Sequence, residues 1–151
     1  TVGHGGSDAG YRADYLRWVE DMLAGRPLVG EGEARYYHVG KRLYKQIDNL
    51  SHCSLATTAW RGDVLDQVRA LIQARPDAYY DMALWSGLAP LGCVYPVAGR
   101  HCGIKGLPGR PGIGGGHRNI CHMPDPSLSV LRAWVGDDVE VYAPYYQRTG
   151  A

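Results

Sequence analysis

Residues 86–126 carry an unusual share of the residue types that interrupt regular structure. This segment contains ten of the 21 glycines and six of the nine prolines, and residues 112–116 read Gly-Ile-Gly-Gly-Gly. Glycine is costly inside helices and strands, and proline removes a backbone donor and fixes φ. The composition therefore predicts one long irregular loop. Because a loop of this length in a compact domain is usually functional or cross-linked, regular structure is expected on either side of it.

Helical periodicity is present in four segments outside or at the end of this loop. Apolar residues recur at helical spacing, and capping residues or proline mark the ends. Asp63 is the predicted N-cap of the third helix, and Asp125-Pro126 precedes the fourth. The predicted helices are Tyr11 to Leu23, Lys41 to Leu50, Val64 to Ile72 and Ser127 to Trp134.

Strand patterns are shorter and separate these helices. The predicted strands are Arg35 to Val39, Tyr79 to Trp85 and Asp138 to Tyr142, and Leu28 to Glu33 is predicted to be a turn-rich connector. Together these elements predict an α/β or α+β fold. We expect a helical N-terminal half, a small mixed sheet and the long Gly/Pro/Cys-rich loop.

Length, charge and hydropathy exclude several classes of protein. The 151 residues are enough for a single compact domain, residues 1–151, with its own core. A net charge of +1 lacks the electrostatic footprint of proteins that bind nucleic acid or anionic membranes. No apolar run approaches the length of about 20 residues that a membrane span needs. Because the chain begins at Thr1 without a signal-peptide pattern, we expect it to be processed or excised from a longer polypeptide.

The cysteines and histidines of the long loop offer two ways to cross-link it. Structural zinc takes four nitrogen or sulfur ligands, and the candidates are Cys93, Cys102, His117 and Cys121. The even number of four cysteines fits two disulfides equally well, since exported domains use them where a core is small. Free thiols are the third alternative. The spacing does not decide among the three.

Trp85 and Ser86 are candidate ligand-binding residues, because an apolar run ends at Trp85-Ser86-Gly87. In one interpretation Trp85 is a core aromatic residue whose N–H finds a buried partner. In the other, Trp85 is a platform for a flat ligand at the end of a strand, and Ser86 supplies a hydroxyl beside it. Arg118, within the loop, could contact a phosphate-bearing ligand, because the guanidinium fork suits pyrophosphate.

Glu140 is the candidate acid. It stands between Val139 and Val141 in a predicted strand, so both valines would face a core and the carboxylate would face the other side. That side is either solvent or a cleft below Trp85. In a cleft, the carboxylate could stabilise an oxocarbenium ion during glycosidic cleavage.

Leu84-Trp85-Ser86 and the segment Gly-Asp-Asp-Val-Glu-Val at residues 136–141 together resemble the ADP-ribosyl cyclase and NAD glycohydrolase family. The resemblance implies that Trp85 is a nicotinamide or purine platform, that Ser86 contacts ribose or phosphate, and that Glu140 is catalytic. Trp134 is assigned to the family's second active-site tryptophan by proximity alone. The chain departs from the family in lacking its acidic Leu-Glu-Asp segment, and Trp85 and Glu140 are only 55 positions apart.

The tripeptide Trp60-Arg61-Gly62 resembles a motif of a second family that consumes NAD. This tripeptide is similar to the aromatic-Arg-Gly of arginine-type ADP-ribosyltransferases, and Asp138-x-Glu140 is similar to their acidic turn. The resemblance implies that Arg61 contacts the substrate. The Ser-Thr-Ser of that family is missing. Both resemblances imply NAD as substrate.

The leading hypothesis is an enzyme that cleaves the nicotinamide–ribose bond of NAD, with Glu140 stabilising the ribose cation and water as acceptor. It would be a secreted toxin or effector domain delivered into a target cell. NAD would be its substrate, with no cofactor, and a cognate immunity or inhibitor protein is a candidate partner. Two alternatives stay open: a zinc-dependent nuclease-type toxin using residues 117–122, and a disulfide-stapled secreted binding protein.

Overall fold

The structure is a computed structural model that describes residues 9–11, 14–74, 80–95, 101–108 and 121–147. Helices and two small sheets make this a mixed α/β fold. The described helices are α1 (Tyr15–Gly25), α2 (Leu65–Ala74), α3 (Tyr80–Gly87), α4 (Ser129–Val135) and α5 (Val139–Tyr142). The strands are β1 (Ala9–Tyr11), β2 (Leu28–Glu31), β3 (Glu33–His38), β4 (Leu43–Asp48), β5 (Thr58–Trp60), β6 (Gly92–Tyr95), β7 (His101–Lys105) and β8 (Met123–Pro124).

These elements fall into two compact units. The described residues of the first unit are 14–34, 48–74 and 80–95, and those of the second are 9–11, 35–47, 101–108 and 121–147. The prediction of a single domain over residues 1–151 stays a prediction. Among the described residues, no helix has the length and apolar character needed to span a membrane.

The first unit is built on a three-stranded sheet with β2 at its centre. β5 pairs with β2 in the antiparallel sense and β6 in the parallel sense, so that Leu28 lies opposite both Trp60 and Gly92. Val68 of α2 and Leu84 and Trp85 of α3 pack with Leu28 of the sheet in one core. The buried members of this core are Leu28, Cys53, Val64, Val68, Leu84, Trp85 and Leu88.

The second unit is built on a five-stranded sheet of order β1-β7-β3-β4-β8. β7 is antiparallel to β1 and parallel to β3, and β8 is antiparallel to β4. Helices α4 and α5 contribute buried side chains to the core on one face of this sheet. The buried members of the core are Tyr37, Val39, Cys102, Ile104, Leu131 and Val139.

Several sequence predictions are confirmed. α1, α2 and α4 lie within or close to three of the predicted helices, and β3 covers most of the strand predicted at Arg35 to Val39. Both sheets combine parallel and antiparallel pairs, as the predicted mixed sheet requires. These segments have clear end signals or long periodic patterns. Both signals are read from local sequence alone, so they are the ones that sequence analysis identifies best.

The predicted helical N-terminal half is wrong, because residues 28–60 hold β2 to β5. Lys41 to Leu50, predicted as a helix, forms strand β4 between β3 and β8. Its apolar spacing also permits a strand, and pairing with two neighbours overrides weak helix propensity. The predicted connector at Leu28 is the central strand β2. Gly30 fits there because an added Cβ would lie 2.5 Å from Cys53 Sγ and 2.8 Å from Trp85 Cζ2.

Two predicted strands are helices instead. Tyr79 to Trp85 was predicted as a strand from its apolar run, but residues 80–87 form α3, in keeping with the helix propensity of Met, Ala and Leu. The predicted strand from Asp138 to Tyr142 contains α5. Val139 is fully buried, whereas Val141 is 61% exposed. Residues two apart point to different sides of a helix but to the same side of a strand.

The predicted long irregular loop is wrong where β6 and β7 form. β7 lies between β1 and β3, and all five of its residues are buried. Gly103 permits this packing, because an added Cβ would lie only 3.0 Å from the ring of Tyr36. The remaining Gly-rich part, residues 109–120, lies outside the described residues.

Candidate functional site

The predicted site residues are divided between the two units. Trp85, Ser86 and Arg61 belong to the first unit, and Glu140 and Trp134 belong to the second. Arg118 lies outside the described residues.

Trp85 lies in the core of the first unit. Its side chain is 4% exposed, and its indole N–H donates a hydrogen bond to Thr58 Oγ1 at 3.0 Å. The ring packs closely against the sheet, since a Cβ added at Gly92 would lie 2.8 Å from Trp85 Cζ3. This matches the interpretation of Trp85 as a core aromatic residue with a buried hydrogen-bond partner. A role as a ligand platform stays a prediction, and it would require the ring to become accessible.

Ser86 and Arg61 lie at the surface of the first unit. Ser86 is exposed near the C-terminal end of α3. Arg61 makes a bidentate ion pair with Asp63, at 3.1 Å from Nε and 2.8 Å from the terminal nitrogen, and also donates to the Leu23 carbonyl at 3.2 Å. The hydrogen bonds between them raise the pKa of Arg61 and lower that of Asp63. The guanidinium is thus occupied in joining the end of α1 to the start of α2.

Glu140 is an accessible carboxylate on α5. Its side chain is 73% exposed and forms an ion pair with the terminal nitrogen of Arg132 at 3.1 Å. Pairs as exposed as this contribute at most about 1 kcal/mol to stability. Glu140 therefore has a surface position with no packing role, and a substitution there is expected to leave the fold intact.

Trp134 lies in an aromatic cluster of the second unit. The rings of Tyr37 and Tyr44 meet it edge to face, with centroids 6.4 Å and 5.6 Å away. The guanidinium carbon of Arg35 lies 5.2 Å from the centroid of the indole. These contacts anchor the half-buried indole to β3 and β4 and fit a packing role, while the predicted substrate contact stays a prediction.

Asp125 has a tertiary contact that the sequence did not predict. It was predicted as the N-cap of a helix, but the N-cap residue of α4 is Leu128, three residues later. The Asp125 carboxylate still accepts hydrogen bonds from the first-turn N–H groups of Val130 and Leu131, at 3.2 Å and 3.1 Å. It also accepts a bond from the hydroxyl of Tyr37, at 3.0 Å across 88 positions of sequence. Asp-Pro before an apolar run is the signal for a helix start, but no local pattern identifies the tyrosine.

These hydrogen bonds determine the protonation of Asp125. Burial acts to raise the pKa of its carboxyl group, but the N–H groups of Leu131 and Val130 and the hydroxyls of Tyr37 and Ser129 outweigh it and lower the pKa. The contribution of Asp125 to stability should therefore be fully present above its unfolded pKa of about 3.9 and be lost as pH falls through the lower folded value.

Asp125→Ala is expected to lower the free energy of unfolding at pH 7 by about 2–3 kcal/mol, because it removes the acceptor of two first-turn N–H groups of α4 and leaves the buried Tyr37 hydroxyl without its acceptor. Asp125→Asn keeps an acceptor and should cost less. Urea unfolding of both variants at pH 7 and pH 3 measures this, with a smaller difference from the parent at pH 3. An Asp125→Ala protein as stable as the parent at pH 7 would contradict the assigned role.

The candidate metal ligands and disulfide cysteines are only partly described. Cys102 and Cys121 are free thiols in the second unit, whereas His117 and the side chain of Cys93 lie outside the described residues. In the part of the chain that the structure describes, no three His, Cys, Asp or Glu side chains are grouped as metal ligands. The zinc and disulfide alternatives therefore stay predictions.

Cys102 should be chemically inert in the folded protein. Burial raises the pKa of its thiol to about 12, so very little thiolate is present near neutral pH. We expect Cys102 to react with iodoacetamide at pH 7.5 at least about a hundredfold more slowly than in urea-unfolded protein. Peptide mass spectrometry of timed samples measures the two rates. Equal rates would mean that Cys102 is not buried in solution.

The chain was compared with protein-family models, curated proteins and solved structures, and none of the three comparisons found a match.

Proposed function

We propose that the protein is an NAD-consuming enzyme that cleaves the nicotinamide–ribose bond, with Glu140 as the catalytic carboxylate. The proposal extends to an exported toxin or effector domain. Its support from the sequence is the resemblance at residues 84–86 and 136–141. Its support from the structure is the position of Glu140.

The observation that carries the proposal is the accessibility of the Glu140 carboxylate. At 73% exposure it can approach a substrate without any rearrangement of the core. Glycosidic cleavage of NAD develops positive charge on the ribose as nicotinamide leaves, and a nearby carboxylate stabilises that charge. Water attacking the ribose cation completes hydrolysis, and a proton is released to solvent.

Arg132 is the group that positions this carboxylate. Its guanidinium donates to Glu140 Oε1 at 3.1 Å, and its own side chain is 58% exposed. One carboxylate oxygen is thereby held while the other stays available to a substrate. The exposed guanidinium also provides positive charge for the phosphates of NAD.

Trp85 and Arg61 do not contribute to the proposal in their present conformations. The Trp85 ring is packed in a core and the Arg61 guanidinium is paired with Asp63. The proposal therefore rests on Glu140 and its immediate neighbours.

Purified protein incubated with NAD should release nicotinamide, and release should survive exhaustive treatment with a strong chelator, because carboxylate-assisted cleavage needs no metal ion. Chromatographic quantification of nicotinamide and ADP-ribose over time measures this. Loss of NAD cleavage on chelation would exclude this mechanism. Absence of nicotinamide release at high protein concentration would exclude the proposed function itself.

A further inference from the structure

Asn49-Leu50-Ser51 has the pattern of an acceptor for N-linked glycans, in which asparagine is followed two positions later by serine or threonine and the residue between is not proline. The chain has two asparagines, and the other one, Asn119, is followed by Ile-Cys. Asn49 is therefore the one position with the complete Ser/Thr pattern. A three-residue pattern is common, so the fold must also leave room there for a large polar substituent.

The three residues form a bend at the surface of the first unit. Strand β4 ends at Asp48, and Asn49 begins the irregular segment that follows it. Asn49 is partly exposed, and Leu50 and Ser51 are both exposed. At 77%, Leu50 has the most exposed large hydrophobic side chain in the part of the chain that the structure describes. The bend therefore protrudes into solvent, as a modified surface loop does.

The backbone of Asn49 is fixed against Gly32. Its N–H donates to the Gly32 carbonyl at 2.9 Å, and its own carbonyl oxygen lies where a Cβ added at Gly32 would overlap it. Both contacts are made by backbone atoms. The side-chain nitrogen Nδ2, to which a glycan would be joined, takes no part in them. A substituent on Nδ2 therefore leaves the attachment of this bend to the first unit unchanged.

Ser51 supplies the hydroxyl that completes the pattern. Its Oγ lies 3.1 Å from Nδ1 of the adjacent residue, His52, in an exposed hydrogen bond. This contact is local and does not connect Ser51 to the core. The hydroxyl can therefore be removed with little effect on the fold, usually within about 0.5 kcal/mol for a surface substitution. Substitution of Ser51 thus removes the acceptor pattern while the asparagine itself stays in place.

We propose that Asn49 is a site of N-linked glycosylation. The co-reactant is a lipid-linked oligosaccharide diphosphate, and a membrane-bound oligosaccharyltransferase catalyses the transfer. Nδ2 of Asn49 forms a bond to the anomeric carbon of the first sugar, while the bond from that carbon to the diphosphate oxygen breaks. The lipid diphosphate leaves with the bonding electrons, and the proton lost from Nδ2 passes to a base of the transferase.

This site rests on the exported character in the proposed function, because an exported chain is the kind that meets such a transferase. It does not depend on cleavage of NAD, since Asn49 belongs to the first unit and Glu140 to the second. A hydrophilic glycan on Asn49 would also cover part of the neighbouring Leu50 side chain and increase solubility.

The test is to secrete residues 1–151 from cultured eukaryotic cells behind a cleavable signal peptide and to measure the intact mass. The parent should carry the mass of one oligosaccharide, and peptide N-glycosidase should remove it and leave aspartate at position 49. Asn49→Gln and Ser51→Ala should each abolish the added mass, whereas Ser51→Thr should keep it. Asn119→Gln is the matched control and should be glycosylated as the parent is.

Masses are read from the medium and from the cell extract, so that retention of a variant in the cell does not prevent the measurement. The proposal is overturned if the parent carries no glycan, if peptide mapping places the glycan on another residue, or if the added mass persists in Ser51→Ala. Nicotinamide release by the same samples tests the proposed enzyme separately. A glycosylated protein that leaves NAD intact would exclude the activity and keep the site, and an unmodified protein that cleaves NAD would do the reverse.

Discussion

Trp85→Ala is expected to lower the free energy of unfolding by about 3–5 kcal/mol, the range found when a large aromatic side chain is removed from a packed core. The indole is 4% exposed and lies among Leu28, Cys53 and Leu84. Its removal leaves a cavity that the surrounding sheet and helices cannot fill without moving. Urea unfolding monitored by far-UV circular dichroism measures the change.

Two further variants separate the parts of this effect. Trp85→Phe keeps most of the apolar area but removes the N–H that bonds to Thr58 Oγ1, and should cost about 1 kcal/mol from the lost hydrogen bond, plus a smaller packing term. Trp18→Ala is the matched control, because Trp18 lies in the same unit but is only partly buried. A Trp85→Ala protein that loses no more stability than Trp18→Ala would contradict the core position of Trp85.

The same tryptophan shows how far sequence reasoning extends. The apolar run around Trp85 correctly indicated burial, and the core interpretation agrees with the structure, but the run was assigned to a strand instead of α3. Short apolar runs do not distinguish a buried strand from a buried helix. The contacts that decide it, from Gly30 and Gly92 on two paired strands, are far away in sequence.

The strands were harder to predict than the helices for a related reason. α2 follows directly from local periodicity and a stop signal at Pro76, whereas β2, β4 and β7 exist because neighbouring strands pair with them. β7 tolerates the glycine at its centre because the Tyr36 ring covers the space above it. The glycine content of this segment predicted a loop, because glycine has a wide range of accessible backbone conformations. Glycine content does not show the tertiary contact that restricts the backbone here.

The candidate site was predictable only at the level of single residues. Glu140 was singled out from its sequence neighbours, yet its helical setting and its partner Arg132 depend on how α4 and α5 meet. Asp-Pro before an apolar run indicated that Asp125 lies near a helix start, whereas its bond to Tyr37 was not visible in sequence. Local patterns identify side chains with suitable chemistry, and long-range packing determines which of them meet.

Glu140→Gln is the substitution with the largest expected effect on activity. It keeps the volume of the side chain and a hydrogen-bond acceptor for Arg132 but removes the negative charge. Because the parent side chain is 73% exposed, stability should change by no more than about 0.5 kcal/mol, the usual limit for surface substitutions. If the carboxylate stabilises the ribose cation, the rate of nicotinamide release should fall by roughly a hundredfold or more.

Two matched variants distinguish catalysis from a general effect of charge or from loss of the ion pair. Asp137→Asn removes an equivalent exposed negative charge just before α5 and should leave the rate within about twofold, since surface charges have small effects at this range. Arg132→Gln breaks the ion pair but keeps the carboxylate, so it should reduce the rate less than Glu140→Gln does. Nicotinamide release at saturating NAD, with unfolding curves for each variant, provides the comparison. A folded Glu140→Gln protein that hydrolyses NAD at the parent rate would exclude Glu140 as the catalytic carboxylate, because the variant differs from the parent only in the lost negative charge.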